Sequence, residues 1–107
     1  MIFGYDELKE YVSEDFKRFQ KMNFNEKQIY PAILDEYKYG EDFSEAESIC
    51  IHVILAMVYA THGWGYGIII SKLKLLWKDE SENQLKKELG DEYIRFYMDF
   101  ERIMKYE

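Results

Sequence analysis

At 107 residues the chain has the length of one domain, and 48% hydrophobic with 18% aromatic residues give it enough apolar surface to offset chain entropy, which excludes a disordered chain. A formal net charge of -7 sets its average field against a phosphate backbone or an anionic bilayer, so neither nucleic acid nor a membrane is expected as a partner. The single cysteine, Cys50, rules out an internal disulfide. The longest apolar run, Ile49 to Ala60, is shorter than the roughly 18 to 20 residues that span a bilayer. The start lacks a basic segment followed by an apolar one, and a cytoplasmic protein is expected.

In chain order, Tyr5, Leu8, Val12, Phe16, Phe19 and Met22 recur at gaps of three and four and predict a first helix. Its acidic start (Asp6, Glu7, Glu10) and basic end (Lys17, Arg18, Lys21) match the helix dipole. Asn25 is placed to cap a second helix through Ile29, Ile33 and Tyr37, with Gly40 as its stop. Pro31 belongs in a first turn rather than an interior, so this helix is expected to start near Tyr30 or to kink there.

Ser44 and Glu47 have capping-box spacing before a run that is apolar nearly all round, which predicts a buried central helix from Glu45 to about Thr61. In His62-Gly63-Trp64-Gly65-Tyr66-Gly67, three glycines alternate with two aromatics and read as a loop. Ile69, Leu73 and Leu76 have helical spacing within Ile68 to Lys78, although Ile68-Ile69-Ile70 also suits a short strand. Ser81 is a cap for a short helix ending at Gly90. Asp91 is a cap for a last helix with the stripe Tyr93, Phe96, Tyr97, Phe100, Ile103 and Met104. The expected fold is all-α: a single-domain bundle of five or six helices around the buried helix at residues 45–61.

No residue pattern carries a reaction. His52 and His62 lie roughly 15 Å apart along a helix and about 80° around it, too far to share a metal. Cys50 has no basic neighbour in sequence to lower its pKa and reads as a small buried hydrophobe. No serine sits in a strand–turn–helix elbow. The glycine-aromatic loop follows a helix and lacks a Walker lysine, which excludes the phosphate-binding loops. A connector or a contact surface remains for it. No catalytic residue, metal or cofactor is expected.

Carboxylates stand out. Asp35, Glu36, Glu41, Asp42, Glu45 and Glu47 crowd one corner with Lys38 as the only base, and Tyr37, Tyr39 and Phe43 are interleaved. Either this is a solvated corner, or it recognises a basic protein surface with tyrosines as anchors and carboxylates for steering.

The same stretch carries a resemblance. Gly40-Glu41-x-Phe43-Ser44-x-x-Glu47, leading into Ile49-Cys50-Ile51-His52-Val53-Ile54-Leu55-Ala56, resembles a family of small, mostly α-helical immunity proteins of bacterial polymorphic-toxin and contact-dependent inhibition systems. The motif covers about twenty residues. The resemblance implies an inhibitor that binds a cognate toxin domain and blocks its active site or substrate access. Such toxins are often nucleases with a basic groove that an acidic protein can occupy. The expected contacts are Asp35, Glu36, Tyr39, Glu41, Asp42 and Glu45, chosen for charge and exposure. Two alternatives stay open: a ligand-binding or enzymatic domain with a pocket near Gly63–Gly67, His62 and Trp64, and a homodimer through the last helix.

Overall fold

The computed structural model of the protein describes residues 4–38 and 44–105, apart from the side chain of Lys38. Six α-helices follow one another among these residues: α1 (Tyr5–Lys21), α2 (Glu26–Lys38), α3 (Glu45–Thr61), α4 (Gly67–Leu76), α5 (Ser81–Leu89) and, after a 3-10 turn at Gly90–Glu92, α6 (Tyr93–Lys105). The expected all-α bundle is what forms. No helix among the described residues is long and apolar enough to cross a membrane.

The core is built on α3, which packs against α1, α4, α5 and α6. Eight successive residues from Ile49 to Ala56 are buried, so this helix has no solvent face through its middle. Ser44 caps it, its Oγ accepting from the Glu47 N–H. The other helices each offer one apolar stripe to this centre, such as Leu8, Val12 and Phe16 from α1 or Phe96 and Ile103 from α6.

Two helix ends share one construction. At the end of α1, Asn23 takes a positive φ of 64°, and the N–H groups of Phe24 and Asn23 return to the carbonyls of Phe19 and Gln20. At the end of α3, Gly63 takes a φ of 70°, and the N–H groups of Trp64 and Gly63 return to Tyr59 and Ala60. Both are Schellman stops, each with the apolar contact that accompanies the motif: Phe24 stacks on Phe19, and Trp64 meets Tyr59 edge-on at 5.3 Å between ring centres.

Several local expectations need correction. The second helix does not start near Tyr30; Asn25 caps it, its Oδ1 accepting from Lys27 and Gln28, and the helix runs through Pro31. The expected stop at Gly40 lies outside the described residues. Ile68–Ile70 are helical, because among the described residues there is no strand for them to pair with and Ile69 and Ile70 bury into the bundle. α4 ends at Leu76, short of Lys78. Ser81 is not a cap: it is the first residue of α5, and its Oγ accepts from the Lys78 N–H to close the preceding turn. Asp91 lies inside the 3-10 turn. Met22 falls beyond the last turn of α1 and is exposed.

The ends of α1 and α6 are tied together by charge. Gly4 at the N-cap of α1 has no side chain to cap with, and Glu92 accepts from the Asp6 N–H instead. One turn on, Asp99 accepts from the buried Tyr5 hydroxyl at 2.6 Å and from Lys9 at 3.0 Å. Arg95 pairs with Asp6.

Candidate functional site

Half of the expected contact residues can be located. Asp35 and Glu36 stand exposed in the last turn of α2, and Glu45 is exposed in the first turn of α3. Tyr39, Glu41 and Asp42 lie outside the described residues. Glu47, which adds to the acidic count in sequence, is only 2% exposed and contributes nothing to the surface.

The corner is also less negative than its sequence. Arg18 reaches across from α1 to bind Glu36, and pairs with Asp15 as well. Lys78 pairs with Glu45 at 2.7 Å. Asp15 further accepts from the Tyr37 hydroxyl, whose pKa is raised first by burial and then by that carboxylate. Asp35 has no ion-pair partner among the described residues, and it is the clearest free carboxylate of the site. Exposed ion pairs of this kind exchange readily for others, so Glu36 and Glu45 can still turn to an incoming cation.

His52 and Cys50 are turned inward, whereas His62 is exposed. A carbonyl can only accept, so the His52 Nδ1–H donates to Ser48 O at 2.7 Å, and Nε2 accepts from the Tyr30 hydroxyl at 2.8 Å. Burial is the main cause of a lowered His52 pKa, which favours the neutral ring. His62 bonds back to Val58 O and packs its ring on Phe16 and Trp64. Cys50 is fully buried, and burial pushes its thiol pKa upward. No three of His, Cys, Asp and Glu converge as a metal site among the described residues.

The glycine-aromatic loop divides into two parts. Gly63 and Trp64 are explained by the helix stop, and Trp64 packs on Phe16 rather than standing out as an anchor. Gly65, Tyr66 and Gly67 instead form one wall of a cleft of about 610 Å³, opposite Glu26, Lys27, Tyr30 and Pro31, with Tyr59 and Ile69 in its lining and Ile68 at its lip. A cleft thus adjoins this loop, without Trp64 or His62 in its lining. His62 lines a separate, smaller groove between α1 and α3.

Tyr59 shapes this cleft. Its hydroxyl accepts from the Tyr30 N–H at 2.9 Å and donates to Glu26 O. Those two groups would pair with each other in an uninterrupted helix, so a side chain from α3 is threaded into the ladder of α2 one residue before Pro31. Pro31 brings no N–H to the carbonyl four residues back, that of Lys27, and crowds it, so the ladder is interrupted beside the point where the hydroxyl enters.

The stripe expected as a dimer face on the last helix is divided between core and surface. Phe96 is fully buried and Phe100 stacks on Trp77, which leaves Tyr97 exposed, beside Ile94 and Met98.

Sequence reasoning singled out neither Lys27 and Ile68, exposed in the cleft lining, nor Lys72 and Leu75, exposed further along α4. The signal was present: no aspartate or glutamate occurs from Ser48 to Lys78. Comparison of the chain with family models, with curated proteins and with solved structures finds no match to any of them.

Proposed function

We propose that this chain is an immunity protein, a stoichiometric and non-enzymatic inhibitor that binds a cognate bacterial toxin domain and blocks its active site or substrate access. The observation that carries the reading is the exposure of Asp35 and Glu36 in the last turn of α2. A carboxylate is disfavoured there by the helix dipole, and Asp35 has no ion pair among the described residues to offset that, so helix stability does not account for it. Both residues stand shortly before the motif, beginning at Gly40, that resembles the immunity family, on a packed bundle that pre-organises them for contact. Steering by exposed carboxylates raises the association rate toward a basic groove such as that of a nuclease, and aromatic contacts then slow dissociation.

The test is a binding titration against the toxin domain at several salt concentrations. Replacing Asp35 and Glu36 together by lysine is expected to weaken affinity about tenfold or more and to flatten the salt dependence. Unchanged affinity and salt slope would reduce the corner to solvated surface.

The cleft beside Tyr66 favours a second reading, a small-ligand site. Its size suits one. Against it, the hydroxyls of Tyr30 and Tyr59 are spent within the fold, which leaves few polar groups to orient a small molecule.

A further inference from the structure

The interval from Ser48 to Lys78 has no acidic residue but holds Lys72, Lys74 and Lys78, on a chain whose net charge is -7. The fold brings part of it to the surface as α4. Ile68 and Leu75 are each 76% exposed and lie seven residues apart, with exposed Lys72 between them on the same helical stripe. Ile68 is also on the lip of the cleft, and Lys27 faces it from the wall formed by α2. Lys27 and Lys72 have no carboxylate partner among the described residues. Lys72 stands one turn along α4 from Ile68, which is in the cleft lining. Glu26 is the single acidic residue in the cleft lining.

We infer that the cleft and the outer face of α4 together form a docking surface for a short, acidic and apolar segment of a partner protein. The cleft offers the rings of Tyr30 and Tyr66 and the aliphatic Ile68 to cover an apolar side chain, while Lys27 in its wall and Lys72, one turn beyond Ile68 on α4, are there to receive carboxylates. Gly65 and Gly67 keep the opposite wall low, since a Cβ at either would meet nothing within 4 Å and would project into open space. A short segment meets the local field only, because charges beyond about 8 Å are screened at physiological salt. A nucleic acid or a bilayer is an extended anion and meets the whole negative molecule, so the charge pattern selects against both. Asp35 lies one turn along α2 from Pro31 and borders this surface, whereas Glu36 turns toward Arg18 of α1.

The test follows amide chemical shifts of the whole chain during titration with a defined probe. The probe is a helical peptide of about four turns with a leucine face and glutamates on its flanks, compared with the same peptide carrying lysines and with phosphatidylserine vesicles. The acidic peptide is expected to saturate, with shifts centred on Lys27, Gly65, Ile68, Lys72 and Leu75. Replacing Ile68→Asp with Lys72→Glu is expected to weaken it about tenfold or more. Both replaced side chains are exposed, so the core is retained. Absence of saturation, equal binding of the lysine peptide, shifts centred elsewhere, or preference for the vesicles would each overturn the inference.

Discussion

At the scale of single residues, His52 carries the clearest dependence on pH. It is buried, with one nitrogen donating to Ser48 O and the other accepting from Tyr30. Because burial lowers its pKa in the folded state, the unfolded chain binds the proton more readily. The stability it contributes is complete above the unfolded value, near 6.5, and is lost as pH falls through the lower folded value. Denaturant unfolding between pH 7 and pH 5 is expected to show that decline, and His52→Gln, which keeps a donor and an acceptor, is expected to lessen it. An unchanged slope in the variant would assign the decline to other groups. His52 was legible in sequence as a core residue, because it sits inside an apolar run. Its partner Tyr30 was not, since the contact joins residues 22 apart and depends on how α2 lies over α3.

At the scale of elements, α2 shows what sequence could and could not supply. Its cap at Asn25 and its buried Ile29 and Ile33 follow from spacing. Its passage through Pro31 does not, because the group that fills the opened ladder is the Tyr59 hydroxyl of another helix. Replacing Tyr59 by phenylalanine removes that bridge and leaves the Tyr30 N–H and Glu26 carbonyl without it, at an expected cost of about 1–3 kcal/mol in unfolding free energy. Hydrogen exchange at the Tyr30 amide should rise at the same time. Unchanged stability with slow exchange would mean that the ladder closes on itself and that Pro31 needs no help. The misplaced caps at Ser81 and Asp91 have a similar origin. A serine or aspartate before a helix is a cap by type, yet whether its oxygen turns forward or back is decided by the turn it closes.

At the scale of the whole molecule, the radius of gyration of 13.1 Å is close to the roughly 13 Å of a packed domain this long, consistent with one core around α3. The bundle itself was legible because hydrophobic periodicity is local. The candidate surfaces were less so. Charge counted along the chain placed six carboxylates at one corner, whereas folding buries Glu47 and brings Arg18 and Lys78 to Glu36 and Glu45. The same counting passed over the acid-free interval that becomes α4. Surfaces assemble from residues far apart in sequence, and linear charge density therefore misjudges both patches.

The central proposal concerns inhibition of a toxin, and growth is its most direct measure. The chain would be co-expressed with the C-terminal domain encoded immediately upstream of it. Rescue of growth, together with a stable one-to-one complex on purification, is the result the immunity reading predicts. A domain that remains toxic in the presence of the folded chain, or one that is harmless and does not bind it, would contradict that reading.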